Sequence, residues 1–296
     1  MEYSDLYADI AERTGGDIYI GVVGPVRTGK STLIKRFMEL MILPEISDEA
    51  FGRRARDELP QSAAGRTIMT TEPKFVPEQA VRLELEGGIE LRARMIDCVG
   101  YLVPGAMGHE EGERPRMVKS PWFDDEVPFD TAAEMGTRKV ICEHSTIGLA
   151  VTTDGSISDI PRENYVEAEQ RVVEELEAIH KPFVILLNCV EPQAPESLAL
   201  AAHLQEKYGH AVLPVSCAEM TQGTIHEVLR QVLLEFPVKE LAFAMPKWVT
   251  MLSAGHWLQQ EIYAAVREYA EGITSMRDLT AGAGPACPSV KQSCVR

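Results

Sequence analysis

The stretch from Gly24 to Ser31 constrains the fold of this 296-residue chain more than any other part of its sequence. It reads Gly-Pro-Val-Arg-Thr-Gly-Lys-Ser and matches the phosphate-binding loop pattern G-x-x-x-x-G-K-[ST] at every fixed position. Residues 18–23, which favour a β-strand, precede it, and residues 33–42 carry apolar side chains at helical spacing. Because a P-loop joins a strand to a helix, this context predicts a nucleotide phosphate site.

The residue types within this loop suit phosphate chemistry. Gly24 and Gly29 let the backbone wrap a phosphate chain without a Cβ in the way, and successive N–H groups form an anion-binding nest. The start of the following helix adds the positive end of its dipole. Lys30 supplies charge for the β- and γ-phosphates, and the Ser31 hydroxyl can ligate Mg²⁺. The predicted nucleotide-binding residues are Asn188, from a later motif, and Gly24, Pro25, Val26, Arg27, Thr28, Gly29, Lys30, Ser31 and Thr32.

The order of motifs after the P-loop narrows the class of protein. A polar, arginine-rich segment at 44–74 is followed by alternating residues around Glu-Gly-Gly, which predict a β-hairpin at 81–96. The second strand runs into Asp97-Cys-Val-Gly100, a D-x-x-G motif. This layout is typical of the GTPase-like (TRAFAC-type) branch of P-loop proteins. Asp97 is therefore the predicted Walker B carboxylate, which holds Mg²⁺.

Two adjacent threonines, Thr70 and Thr71, lie in the polar segment between the P-loop and the D-x-x-G motif. An isolated pair of threonines is usually an ordinary loop feature. At this place in the order of motifs, however, a switch-loop threonine would reach both Mg²⁺ and the γ-phosphate. We therefore predict Lys30, Asp97, Thr70 and Thr71 as the catalytic set, and Ser31, Asp97 and Thr70 as the Mg²⁺ ligands.

The second half of the chain alternates between strand and helix patterns. Strands are predicted at 146–152, 183–187 and 211–215, and helices at 131–143, 162–180, 195–208 and 221–236. Such alternation predicts an α/β fold with a doubly wound, mainly parallel sheet and flanking helices. The P-loop and Asp97 then meet at the carboxyl ends of the strands.

The composition changes after residue 237 and suggests three parts. Residues 1–237 are the predicted P-loop ATPase domain. Residues 238–279 form a helical appendage, with one helix predicted at 247–271, and read as the start of a middle domain. Residues 280–296 are rich in Gly, Ala, Pro and Ser, and we expect them to be disordered or foreign to the protein.

The base-recognition motif of GTPases is altered in this sequence. Asn188-Cys-Val-Glu191 stands where GTPases have N-K-x-D. Cys189 cannot supply the lysine stem that stacks on guanine, and Glu191 is one methylene longer than the aspartate. These changes favour adenine over guanine. The residue after Gly100 is Tyr101 rather than a water-orienting Gln, so either hydrolysis is slow or another group positions the water.

The net charge and the hydropathy exclude several partners. The formal net charge is −16, which argues against binding to nucleic acid or directly to an anionic bilayer. No apolar run is long enough for a transmembrane helix, and the N-terminus does not resemble a signal peptide, so we expect a cytosolic protein. The six cysteines are scattered without a C-x-x-C pair, which is typical of buried or incidental thiols rather than metal ligands.

The P-loop, the Thr70-Thr71 pair and a long passage from 120 to 188 resemble the stage IV sporulation protein A family, the spore-coat basement-layer ATPases of endospore-forming bacteria. The passage contains Ser-Pro-Trp at 120–122, Ala-Ala-Glu-Met-Gly-Thr-Arg-Lys-Val at 132–140 and Val-Thr-Thr-Asp-Gly-Ser at 151–156. The resemblance runs from the N-terminus to about Leu279. The long passage is far more specific than the P-loop, which many unrelated proteins share.

This resemblance implies a function and a location. Members of the family hydrolyse ATP with Mg²⁺ and polymerise into a shell around the developing forespore. By matched motif, Lys30 is the Walker A lysine, Asp97 the Walker B acid, and Thr70 and Thr71 the sensor threonines. The implied partners are further copies of the same chain, a small amphipathic membrane-bound sporulation peptide and other coat proteins. The implied location is the mother-cell cytoplasm, at the outer forespore membrane through that peptide and without direct insertion.

The residues alone are compatible with three functions. The first is an assembly ATPase, and the second is a regulatory GTPase switch with altered base recognition. The third is a nucleotide-binding scaffold with little turnover, which Tyr101 in place of Gln would suit. The degraded N-K-x-D motif and the acidic surface argue against the second. Nucleotide-dependent sedimentation separates the first function from the other two.

Overall fold

The computed structural model describes residues 17–46, 48–60, 73–85, 89–111, 114–238, 240–253 and 255–280. The predicted sensor threonines Thr70 and Thr71, and residues 281–296 of the predicted tail, lie outside the described residues. The chain divides into two compact units, Tyr3–Val232 and a second formed mainly by Leu233–Arg296. This division falls a few residues before the predicted boundary at 237, and that boundary remains a prediction.

A six-stranded sheet forms the centre of the first unit. The described strands of the chain are β1 (Asp17–Val23), β2 (Lys74–Leu85), β3 (Ile89–Asp97), β4 (Glu110–Glu111), β5 (Arg114–Pro115), β6 (Met117–Val118), β7 (Val127–Pro128), β8 (Ile147–Thr153), β9 (Phe183–Asn188) and β10 (Val212–Val215). The order of strands in the central sheet is β10-β9-β8-β1-β3-β2, and all neighbours pair in parallel except β2 and β3. The antiparallel β2–β3 pair is the predicted hairpin, so the prediction of a mainly parallel α/β sheet is confirmed.

Helices connect and flank these strands. In the first unit they are α1 (Lys30–Phe37), α2 (Glu49–Asp57), α3 (Phe129–Lys139), α4 (Val166–Ala178) and α5 (Pro195–Tyr208). Helix α6 (Gln222–Leu234) spans the division between the units, and the second unit contains α7 (Lys247–Thr250), α8 (Trp257–Glu271) and α9 (Met276–Thr280). Single π-helical segments extend α1 over Met38–Ile42 and α3 over Val140–His144. Among the described residues, no helix is long and apolar enough to cross a membrane.

Strands β8 and β9 are covered on both faces. Every residue of Ile147–Thr153 and of Phe183–Asn188 is buried. Such continuous burial is typical of inner parallel strands, which helices cover on each side. The core therefore holds the carboxyl ends of β1, β8 and β9 in fixed positions, and the predicted site lies at these ends.

Two predictions about local structure were wrong. The segment 44–74, predicted as a polar loop, contains α2, because Asp48 Oδ1 caps this helix by accepting from Ala50 N at 2.7 Å and Phe51 N at 2.9 Å. The single helix predicted at 247–271 is instead α7 and α8. Gly255 adopts a φ of 90°, and His256 Nδ1 accepts from Leu258 N at 3.2 Å to start the second helix.

Candidate nucleotide site

The P-loop turns sharply between β1 and α1. Gly24 has a φ of 143°, and a Cβ added there would lie 2.2 Å from Val151 O, so only glycine fits against β8. Thr28 is fully buried, and its hydroxyl donates to Pro25 O at 3.0 Å. Because this bond closes the loop on itself, the loop backbone is held in a curved shape before α1 begins at Lys30.

Lys30 lies under the loop rather than in solvent. It is 4% exposed, and its Nζ donates to Pro25 O at 2.6 Å and to Gly24 O at 3.3 Å. Burial lowers the pKa of Lys30, while the charge of nearby Asp97 opposes this shift. An anionic phosphate would stabilise further a buried ammonium whose described hydrogen bonds go to neutral carbonyls, and this is the role predicted for Lys30.

Ser31 and Asp97 form the second half of the site. The Ser31 hydroxyl donates to Asp97 Oδ2 at 2.9 Å, although the two residues are 66 positions apart in the sequence. Asp97 is 2% exposed, and burial raises its pKa, against the opposing effects of the Ser31 hydroxyl and the Lys30 charge. The structure therefore brings together Lys30, Ser31 and Asp97, as predicted from the motifs.

The Ser31–Asp97 pair suits a magnesium ion. Asp97 Oδ1 is buried and accepts no hydrogen bond from any described residue. A buried carboxylate oxygen without a partner is costly, and a hydrated cation would satisfy it. Hydroxyl and carboxylate oxygens are the ligands that Mg²⁺ prefers. The described ranges contain no group of three or more His, Cys, Asp or Glu side chains that could hold a metal ion.

Asn188, at the end of β9, connects the P-loop to the loop after β10. Its Nδ2 donates to Thr28 O at 2.9 Å, and its Oδ1 accepts from Cys217 N at 3.0 Å. Asn188 is 4% exposed, so both bonds are shielded from water. The geometry therefore shows a brace between two loops, and a contact from Asn188 to a nucleotide remains a prediction.

We expect Asn188→Ala to lower the free energy of unfolding by about 2–4 kcal/mol, because two buried backbone groups lose their partners. Urea denaturation followed by circular dichroism measures this change. Asn164→Ala is the matched control, because Asn164 Nδ2 donates to a single carbonyl, Pro104 O, at an exposed site. If Asn188→Ala lowered the free energy of unfolding no more than Asn164→Ala does, the structural role of Asn188 between the two loops would be contradicted.

The residues around Asn188 do not suit guanine. Cys189 is fully buried, and its Sγ points toward Leu187 O and Val215 O, so it cannot lie along a base. The Cys217 N–H is occupied by Asn188 and is not free to donate to the guanine carbonyl oxygen. These contacts agree with the adenine preference predicted from the motif.

Tyr101 is a core residue of the first unit. It is 2% exposed, its hydroxyl donates to Glu175 Oε2 at 2.5 Å, and the Arg171 guanidinium lies 4.1 Å from its ring centre. Its carbonyl accepts from Val26 N at 2.8 Å, which ties the P-loop to the D-x-x-G segment. Because its side chain points into the core, Tyr101 does not replace the water-orienting Gln.

Sequence reasoning missed one buried polar cluster near the site. Glu169 is 2% exposed, and it accepts hydrogen bonds from Thr152 Oγ1, from Arg162 and from Tyr208 Oη. Its carboxylate also pairs with the Arg162 guanidinium at 2.8 Å. The cluster fixes the end of β8, where the Val-Thr-Thr-Asp-Gly-Ser motif begins its turn. No period or spacing in the sequence could have found it, because its four members come from four separate elements.

Family models match both parts of the chain. The model of the stage IV sporulation protein A ATPase domain matches residues 1–237, and the model of the middle domain of that protein matches residues 238–292. A crystal structure of an SsGBP mutation variant aligns over 79% of this chain and 64% of its own, with a TM-score of 0.41 and 14% sequence identity.

Curated relatives match nearly the whole chain. Stage IV sporulation protein A of Bacillus anthracis and that of Bacillus subtilis (strain 168) are each 54% identical over 279 residues, which is 94% of this chain and 57% of each relative. The protein of the same name from Clostridioides difficile (strain 630) is 48% identical over 276 residues, or 93% of this chain and 56% of the relative. The chain thus spans a little over half the length of these relatives.

Proposed function

The chain belongs to the stage IV sporulation protein A family and contains its ATP-binding ATPase domain, and from this premise we propose how it works. We propose that it hydrolyses ATP with Mg²⁺ and that hydrolysis drives self-assembly into a basement layer of the spore coat on the forespore surface. One observation supports the proposal of ATP hydrolysis: Lys30, Ser31 and Asp97 lie together at the carboxyl ends of β1 and β3.

The residues of the site define a mechanism by positioning and charge. The backbone of the P-loop holds the phosphate chain, and Lys30 neutralises the charge that develops on the β- and γ-phosphates. Ser31 and Asp97 would hold Mg²⁺, which would supply positive charge to offset that of the phosphates. Thr70 and Thr71 are proposed to sense the γ-phosphate. No covalent intermediate with the protein is required.

The net charge of the chain bears on how it would reach the forespore surface. With a net charge of −16, the chain is repelled by an anionic bilayer, so its recruitment to the forespore needs a partner. We propose a small amphipathic membrane-bound sporulation peptide in that role, with other copies of the chain and other coat proteins as the remaining partners. This places the protein in the mother-cell cytoplasm, peripheral to the outer forespore membrane.

A second candidate function is a nucleotide-binding scaffold with little turnover. The buried position of Tyr101 favours it, because this residue cannot orient an attacking water. Binding of ATP would then be enough to order the site, and assembly would not depend on hydrolysis.

One experiment separates these functions. The purified chain is mixed with Mg²⁺ and ATP, GTP or a non-hydrolysable ATP analogue, and phosphate release and sedimentation are measured together. We expect phosphate release from ATP in preference to GTP, and pelleting with ATP only. Pelleting with the analogue as well would favour the scaffold. Phosphate release without pelleting would contradict hydrolysis-driven assembly, and a preference for GTP would favour a GTPase switch.

A further inference from the structure

The glycine of the D-x-x-G motif is held by a threonine of α3. Gly100 N donates to Thr137 Oγ1 at 3.0 Å, and the Thr137 hydroxyl donates in turn to Ala133 O at 2.8 Å. Thr137 is fully buried. Its hydroxyl therefore acts as the acceptor for one particular amide, 37 positions away in the sequence, and remains anchored to its own helix.

Gly100 lies against the P-loop at the side of Lys30. It has a φ of 96°, and a Cβ added to it would lie 2.2 Å from Gly24 O and 2.6 Å from Lys30 Nζ. No other residue fits at this place. Gly100 thus lies beside the Lys30 ammonium, the group proposed to meet the terminal phosphates, and its amide is a backbone donor at this place.

The residue before Thr137 contacts a different segment. A Cβ added to Gly136 would lie 3.1 Å from the ring of Trp122 and 3.3 Å from Pro73 Cδ, so ring and proline pack directly on the helix backbone. Pro73 follows Thr71 by two positions in the sequence. Two successive residues of α3 therefore contact the D-x-x-G glycine on one side and Trp122 with Pro73 on the other.

From this arrangement we propose that Thr137 is a positioning residue that competes with the γ-phosphate of ATP for the Gly100 amide. The competition couples the nucleotide state to α3 and to the Trp122 ring that packs on it. This inference rests on the proposed nucleotide site and adds a residue to which the sequence motifs assigned no role.

The energetics make such an exchange feasible. A hydrogen bond to a charged phosphate oxygen is about twice as strong as one to a neutral hydroxyl, so ATP draws the amide away from Thr137. The Thr137 hydroxyl keeps its bond to Ala133 O, so the exchange leaves no donor without a partner. ADP has no γ-phosphate and leaves the Gly100–Thr137 bond in place.

The test measures the affinities of ADP and of a non-hydrolysable ATP analogue, both with Mg²⁺, for the wild-type chain and two variants. Thr137→Val keeps the shape but removes the acceptor, which destabilises only the states in which Gly100 bonds to Thr137. We expect the ratio of the ADP Kd to the analogue Kd to rise about fivefold, with the ADP Kd unchanged. Thr137→Ser keeps the hydroxyl and should leave the ratio at its wild-type value.

Trp122 gives a second readout that does not depend on turnover. The chain has three tryptophans, and replacing Trp248 and Trp257 by Phe leaves Trp122 as the reporter. We expect the analogue to change Trp122 emission and ADP to leave it unchanged, with Thr137→Val shifting the nucleotide-free spectrum toward the analogue-bound one.

The outcomes are distinct. An unchanged affinity ratio in Thr137→Val, or equal changes in Trp122 emission with ADP and the analogue, would overturn the role of Thr137 while leaving the nucleotide site intact. If the wild-type chain bound neither nucleotide, the proposed function itself would fail, and the role of Thr137 with it.

Discussion

Replacing Lys30 by Met should reduce ATP turnover to about 1% of the wild-type rate or less. The loss of one preorganised charge or donor at a developing anion costs about 100- to 1000-fold in rate. Lys30 Nζ is the ammonium that contacts the inner side of the P-loop, at Gly24 O and Pro25 O. Phosphate release with Mg²⁺ and saturating ATP measures the effect.

The same substitution should not weaken the fold. Because burial lowers the pKa of Lys30, its charged form is disfavoured in the folded chain. A methionine of similar length removes that cost, which offsets the loss of the hydrogen bonds to Gly24 O and to Pro25 O, and Pro25 O still accepts from the Thr28 hydroxyl. We expect the Tm of Lys30→Met without nucleotide to equal or exceed that of the wild type. Lys35→Met, at an exposed position of the same helix, is the matched control and should keep full turnover. Equal activity in the two variants would rule out the role of Lys30.

Asp97→Asn should reduce the rate of Mg²⁺-dependent ATP turnover about 100-fold or more. The amide oxygen of Asn can still accept from the Ser31 hydroxyl, so the 2.9 Å contact within the site is retained. What the variant loses is the negative charge of the carboxylate, whose Oδ1 has no hydrogen-bond partner among the described residues. A neutral amide binds Mg²⁺ far more weakly than a carboxylate does.

The role of Asp97 in Mg²⁺ binding can also be measured without an activity assay, by thermal denaturation with and without Mg²⁺ and a non-hydrolysable ATP analogue. Ligand that binds only the folded state raises the Tm, so the wild type should gain several degrees when both are present. In Asp97→Asn the gain from adding Mg²⁺ to the analogue should disappear. Asp130→Asn, at an exposed position of α3, serves as the control and should respond like the wild type. A full Mg²⁺ response in Asp97→Asn would show that the metal is held elsewhere.

Local patterns in the sequence predicted most of the sheet and its helices. The alternating residues on either side of Glu-Gly-Gly indicated the β2–β3 hairpin, and the predicted helix at 195–208 has the bounds of α5. These elements could be predicted because burial of one face or of a whole strand leaves a period in the chain itself. The P-loop pattern gave Lys30 and Ser31 in the same way, since its spacing is local.

The wrong predictions share a physical cause. Helix α2 was missed because its polar, arginine-rich sequence contains few apolar residues, and the Asp48 cap marks its start. The break between α7 and α8 was missed because the apolar residues on either side keep a helical spacing across Gly255. In both cases backbone capping outweighed the side-chain pattern.

The sequence by itself determined the class of fold, the P-loop, the Walker B position of Asp97 and the altered base motif. Only the tertiary structure decided which buried hydrogen-bond donors pair with which acceptors. It brought Asn188 within hydrogen-bond distance of Thr28, which lies 160 positions away in the sequence. It also paired the Gly100 amide with the Thr137 hydroxyl and directed the Tyr101 side chain into the core. Such pairings leave no local signal, because a buried donor takes whichever acceptor the packed sheet and helices bring within 3 Å, however distant in sequence.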